Sequence, residues 1–363
     1  MSQTYADIII DISHSAIDRV FQYRIGEALE SQVQIGSLVT VPFGKGNARR
    51  HGYVIGITET PSYEPDKIKE IVEVPQKGLP IEGKLIQLAA WMRETYGTTM
   101  NQALQTVMPV KQTVRKTAQK IEETVLSDKN WEFVTLNDAQ QALVDAFAEN
   151  YQNEVRKTYL LHGITGSGKT EVYIQCIKEV IRDGGQAIVL IPEISLTYQT
   201  LARFRKHFGT RVAFVNSKQS KGEKYEQFRR AKEGEADVVI GPRSALFTPF
   251  PNLKLIVIDE EHDAAFKSDQ APKYHARDVA MKRAELEEAS VILGSATPSV
   301  ESYAQAETGR YVLWELNSRP DGVKAQQIEV VDLRDELRKG NRSIISRSLY
   351  ANCLLYTSPS PRD

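Results

Sequence analysis

Residues 163–170 place Gly163, Thr165, Gly166, Ser167, Gly168, Lys169 and Thr170 in the spacing G-x-x-x-x-G-K-T. An apolar run precedes them and an amphipathic run follows, so the pattern reads strand, loop, helix: a phosphate-binding loop. Glycines let backbone N–H groups curl around phosphate oxygens, and the helix N-terminus adds positive potential. Lys169 is expected to reach the β- and γ-phosphates, and the Thr170 hydroxyl to hold Mg²⁺.

A second cluster, Asp259, Glu260, Glu261 and His262, begins 90 residues after Lys169 and directly follows the apolar run 255–258. Acids at the carboxyl end of a buried strand lie where a parallel sheet presents ligands. Asp259 suits the Mg²⁺ shell, and Glu260 suits polarising an attacking water. A third cluster, Gly294, Ser295, Ala296, Thr297 and Pro298, again ends an apolar run. By itself a Ser-Ala-Thr turn is weak; third in this order it is informative.

These clusters need a sheet to hold them together. Residues 157–163, 187–192, 212–216, 237–241, 254–259 and 290–296 are short apolar runs separated by amphipathic stretches such as 171–183, which Gly184 and Gly185 close. Strands apolar throughout and spaced by helices imply an α/β lobe with a parallel sheet covered on both faces. The chain before this lobe is β-rich: 33–43 and 52–58 read as strands joined by a turn at 44–47, and 68–74 as a further short strand. Ile81, Leu85, Leu88 and Met92 then recur at helical spacing, and Gly97 ends the pattern. After the lobe, 327–332 reads as one more strand and 346–350 as the start of a helix.

Composition bounds the function classes. With 363 residues, 41% hydrophobic and 26% charged, the chain has room for two or three packed domains and is neither disordered nor a membrane span. Cys176 and Cys353 are its only cysteines, 177 residues apart, too few for a disulfide scaffold or a cysteine zinc cluster and in keeping with a reducing cytoplasm. A formal net charge of −1 excludes a wholly basic coat but leaves room for a local basic face. Ten Lys/Arg, among them Arg203, Arg205 and Lys206, stand against Glu223 and Glu226 between 203 and 232.

The order of the three clusters resembles the superfamily-two helicases. The runs 190–197, 241–247 and 274–278, with 20–23, 36–44 and 68–74 near the N-terminus, narrow the resemblance to the primosomal replication-restart helicases, over roughly residues 5–350. That resemblance implies a RecA-like P-loop lobe at 136–318, preceded by a small β-rich domain at 1–110 that binds a DNA 3′ end, with the start of a second lobe at 319–350. It implies ATP and Mg²⁺ as cofactors. It implies forked and single-stranded DNA, primosome proteins and single-strand-binding protein as partners, with no membrane.

Carried over by residue, the resemblance implies that Phe21, Gly36 and Lys69 hold a nascent 3′ end, with Gln22 where the family has Asp. Gln140 is implied to read adenine. Arg243, and the aromatic-rich loop with Phe266, Lys267, Tyr274 and Arg277, are implied to contact single-stranded DNA. Ser295 and Thr297 are implied to couple nucleotide state to DNA. Two departures are expected to matter. The 25 residues of 111–135 are a linker too short for the family's winged-helix domain. The zinc module and the opposing arginine of the second lobe are absent, and 351–363 reads as a disordered or foreign tail. The expected activity is ATP-dependent 3′→5′ unwinding at stalled forks, nearly lost in residues 1–363 alone. The alternative is a non-catalytic, ATP-responsive fork-binding module.

Overall fold

The computed structural model describes residues 3–12, 14, 17–75, 81–108, 135–317 and 328–356. Residues 111–134 of the expected linker 111–135 and residues 357–363 of the expected tail 351–363 lie outside them, as does the question of a winged-helix domain.

The N-terminal sheet is antiparallel. β1 (Tyr5–Ile10) is central, with β2 (Phe21–Arg24) on one side; β3 (Leu38–Phe43) and β4 (Ala48–Thr58) form a hairpin whose turn is 44–47 and which joins through β4. The hairpin is the expected one, but its first strand starts at Leu38 rather than 33. The expected strand at 68–74 is not one: it makes two isolated bridges, Arg24 to Glu70 and Thr40 to Glu73, with Ile71 buried beneath. β1 and β2 have no counterpart in the sequence reading.

Two helices then cover the sheet. In α1 (Gly83–Tyr96), Leu85, Leu88, Ala89 and Met92 are buried and Gly97 caps the end in the left-handed region at φ 60°. α2 (Met100–Val107) starts in a capping box between Thr99 and Gln102. Gly36 holds the approach to α1. Its φ is +89°, its N–H donates to the Val54 carbonyl at 2.7 Å, and its carbonyl accepts from Ile81 at 3.0 Å. A Cβ on Gly36 would stand 1.7 Å from the Ile81 carbonyl oxygen. Gly36→Ala is therefore expected to destabilise the chain by roughly 3 kcal/mol or more, read as a lower urea midpoint.

The larger sheet is parallel and has seven strands. Along the chain come α3 (Asp138–Gln152), β5 (Thr158–Gly163), α4 (Lys169–Arg182), β6 (Gln186–Leu190), α5 (Tyr198–Phe208), β7 (Val212–Phe214), α6 (Lys221–Lys232) and β8 (Val238–Gly241). β9 (Leu253–Asp259), α7 (Ala276–Glu287), β10 (Ser290–Ser295), α8 (Val300–Glu307) and β11 (Val312–Leu316) complete it. The order across the sheet is β11-β5-β10-β9-β6-β8-β7. This is the parallel-sheet lobe that the spacing anticipates and the RecA-like lobe that the resemblance implies, with β11 added on the edge beside β5.

Residues 1–320 form one compact unit, and one apolar cluster runs from Ile9 and Tyr53 of the small sheet through α1 and α2 to α7 and β9. Lys84 of α1 pairs with the buried Glu287 of α7 at 2.8 Å. Residues 321–363 form a second unit, in which α9 (Leu333–Arg338) and α10 (Arg347–Tyr356) are tied through Glu336, which accepts from the Arg347 N–H at 2.9 Å. The strand expected at 327–332 is absent from its described part: Ile328 and Val330 are 89% and 90% exposed and pair with nothing described there.

Candidate functional site

Strand order puts the three motifs side by side. β10 lies between β5 and β9, and its register sets Ser295 against His162 and Gly294 against Asp259. The loop after β5, the acids after β9 and the Ser-Ala-Thr turn after β10 thus share the carboxyl edge of one sheet, where α/β sheets bind ligands.

Gly166 and Gly168 adopt φ of +82° and +84°, which turns the loop tightly into α4. Lys169 is buried, and its Nζ donates to the Gly163 carbonyl at 2.8 Å. Thr165 and Gly166 are exposed at the rim and Thr170 is half-buried, whereas Ser167 is buried with no partner for its Oγ among the described residues. α4 begins without a side-chain cap, so its N-terminal dipole is uncapped toward the loop. Gln140 is only 1% exposed and serves the loop itself: Nε2 donates to the Ser167 carbonyl at 2.8 Å and Oε1 accepts from the Asn137 N–H at 3.0 Å.

The four residues after β9 diverge in role. Burial, then the charge of Glu260, pushes the Asp259 carboxyl up to about 6, while the Tyr173 hydroxyl donates to its Oδ1 at 3.1 Å. Glu260 sits at φ +51°, a left-handed non-glycine residue at the turn out of the strand. That turn leaves Glu260 half-exposed and sends Glu261 inward to full burial. Glu261 accepts from the Ser299 N–H at 2.7 Å, the Ser302 hydroxyl at 2.9 Å and Arg277 at 3.3 Å. His262 Nδ1 lies 2.7 Å from the Ser295 hydroxyl, which also accepts from the Thr297 N–H at 2.9 Å. Tyr173, Glu261, Ser299 and Ser302 carry no role in the sequence reading. The signal for Tyr173 is its position four residues after Lys169, on the same helix face.

The residues assigned to DNA from sequence are placed unevenly. Phe21, Gln22 and Lys69 line one cavity of about 350 Å³ with Arg19, Phe43 and Tyr63. Phe21 meets Phe43 edge to face at 5.1 Å, and Arg19 stacks over it at 5.0 Å. Gln22 is buried and braces a loop: Oε1 accepts from the Ser62 N–H at 2.6 Å, and Nε2 donates to Asp7 at 3.2 Å. Gly36 has the packing role given above.

In the aromatic-rich loop, Phe266 and Tyr274 are core residues, 1% and 5% exposed, and Tyr274 packs on Phe247. Their faces are covered, so as placed here neither stacks on a base. Arg243 donates to the carbonyls of Ala265 and Lys267 at 2.9 and 2.7 Å and so holds this loop. Arg277 belongs to the Glu261 cluster, while Lys267 is exposed. The basic tract is partly neutralised: Arg211 pairs with Asp237, Arg229 with Glu226, Glu233 and Glu235, and Lys232 with Glu82. Arg203 and Arg205 are exposed on α5.

Comparison with known proteins fits both parts of this arrangement. Residues 7–109 match the family model for the PriA 3′ DNA-binding domain, and residues 133–300 match that of the type III restriction enzyme res subunit. The replication restart protein PriA of Chlamydia muridarum is 30% identical across 94% of this chain and 55% of its own length. The chain belongs to the PriA replication restart family. The PriA protein of Bacillus subtilis is 48% identical over 61% of this chain and 28% of its own length. The chain thus spans about half or less of these PriA relatives. The solved structure of RecG bound to a three-way DNA junction aligns with 53% of this chain and 25% of its own, at 26% identity and a TM-score of 0.41. Among the described residues, no helix is long and apolar enough to cross a membrane.

Proposed function

We propose that this chain is the nucleotide-binding and DNA-end-binding portion of an ATP-dependent 3′→5′ DNA helicase of replication restart. The observation that carries the reading is the convergence of Lys169, Asp259, Glu260 and Ser295 on one sheet edge in a member of the PriA family.

The residues present fit ATP and Mg²⁺. The left-handed glycines and the uncapped α4 make a phosphate cradle. Among the described residues no cluster of three or more His, Cys, Asp or Glu could hold a metal by itself. Thr170 and Asp259 together offer a hydroxyl and a carboxylate, oxygen donors of the kind a hard divalent cation takes. Held by Thr170 and Asp259, Mg²⁺ would supply charge neutralisation on the β- and γ-phosphates. Lys169, released from the Gly163 carbonyl, reaches the same oxygens. Glu260, half-exposed at the rim, orients a water and takes its proton. The His262–Ser295–Thr297 bonds link that acidic turn to the third motif, the connection through which nucleotide state is transmitted to DNA. One lobe supplies one wall of such a site, so residues 1–363 are expected to bind ATP·Mg²⁺ but to turn it over at a trace rate.

A labelled-ATP titration tests the reading. Lys169→Ala is expected to weaken ATP·Mg²⁺ binding roughly 10- to 100-fold, because it removes a charge-assisted hydrogen bond to phosphate. Unchanged affinity would remove the phosphate-loop assignment.

Forked and single-stranded DNA are the proposed nucleic-acid partners, with primosome proteins and single-strand-binding protein as further ones. The cavity of Phe21, Gln22 and Lys69 supports a strand end, and α5 supports a backbone track. Reversing charge at Arg203, Arg205 and Lys206 is expected to weaken binding to all sequences alike. It should also flatten the salt dependence, by about 0.7 in slope for each single-strand phosphate that is no longer neutralised. An unchanged slope would reduce α5 to a solvated face.

A further inference from the structure

Tyr173 lies on α4 one turn beyond Lys169 and is 1% exposed. Its hydroxyl donates to Asp259 Oδ1 at 3.1 Å. It reaches that oxygen only because β10 carries glycine at the crossing point. A Cβ on Gly294 would stand 1.5 Å from the Tyr173 oxygen and 2.6 Å from its Cζ. Gly294 is also the residue paired in register with Asp259. One phenol thus joins the helix that carries Lys169 and Thr170, the strand that ends in Asp259, and the strand that leads to Ser295. Burial without this bond would leave the carboxylate short of a partner, and burial without the carboxylate would strand the phenol.

A carboxylate on two rotatable bonds can turn among several rotamers, and a cation bound by one protein carboxylate and one hydroxyl depends on which is populated. We propose that Tyr173 is a positioning residue for Asp259: its hydroxyl fixes the carboxylate in the orientation that receives Mg²⁺ with the nucleotide, and locks that orientation to the helix bearing Thr170. This rests on the nucleotide reading above. Tyr173 touches neither phosphate nor metal in this role. Its loss should therefore be felt only when Mg²⁺ is present, which separates it from a residue that merely supports the fold.

The test is a labelled-ATP titration of the 363-residue chain in excess Mg²⁺ and again in excess EDTA. Tyr173→Phe keeps the ring and removes the oxygen. It is expected to weaken binding roughly tenfold in Mg²⁺ and to leave the EDTA affinity unchanged, as the loss of one hydrogen bond to a charged group predicts. In an Asp259→Asn background it should cost nothing further, since the carboxylate it positions is gone. Gly294→Ala, which drives the phenol away from the opposite strand, should reproduce the Mg²⁺-selective loss. Where that variant fails to fold, Tyr173→Phe and the double variant decide alone. Equal binding by Tyr173→Phe and the parent in Mg²⁺, an equal loss with and without Mg²⁺, or full additivity with Asp259→Asn would each overturn the proposal. A parent chain that binds ATP in neither condition would instead overturn the nucleotide reading, and the two failures look different.

Discussion

Glu260→Gln, in a two-lobed protein carrying this first lobe, is expected to bind ATP·Mg²⁺ as the parent does and to hydrolyse it roughly 10²- to 10⁴-fold more slowly. The substitution keeps shape and the left-handed backbone at φ +51°. What it removes is the ability to accept a proton from water. In the proposed site, binding would rest on other atoms, those of the glycine loop, Lys169, Thr170 and Asp259. The measurement is nucleotide affinity beside turnover with forked DNA. Turnover at the parent rate would mean that the general base is elsewhere.

A large effect on stability is expected one residue later. Glu261→Ala should destabilise residues 1–320 by about 3–5 kcal/mol, the usual cost of removing one partner from a buried charged pair. Glu261 is 0% exposed. Its loss leaves Arg277, which is itself largely buried, without the carboxylate it meets at 3.3 Å. It also leaves the Ser299 N–H and the Ser302 hydroxyl without their acceptor. Urea denaturation reads the change, and Glu261→Gln, which keeps an acceptor oxygen, should recover part of it. A midpoint within experimental error of the parent would show that the cluster is solvated in solution. Adjacent glutamates thus have opposite expected phenotypes, one lost turnover and the other lost stability.

Local pattern was enough to specify the lobe and its three motifs. Strands buried on both faces must be apolar throughout, so β5, β6, β8, β9 and β10 show as unbroken runs. A phosphate loop needs glycines at fixed spacing for steric reasons that leave little alternative. Pattern was not enough for β1, β2 or β11. β2 is four residues long, and β1 and β11, though rich in β-branched and aromatic residues, are short runs whose pairing depends on partners roughly 10 to 150 residues away in the chain. Conversely, 68–74 and 328–332 have strand-like residues but no continuous partner among the described residues, and without a ladder they do not become strands.

What each site side chain faces is settled by packing in three dimensions. Three consecutive acids are alike on paper; the left-handed turn at Glu260 sends one to the rim and the next into the core. Phe266 and Tyr274 are aromatics that could stack on a base or pack in a core, and Phe247 with its neighbours claims them for the core. The basic tract counted against two glutamates is opposed in space by Glu233, Glu235 and Asp237, which follow directly after residue 232, and by Glu82, which the fold brings beside Lys232. Which strand lies beside which, and so whether Tyr173 can find Asp259 over Gly294, is a property of the sheet order. Local sequence encodes periodicity and turn chemistry; contacts across a sheet depend on long-range closure that no local pattern records.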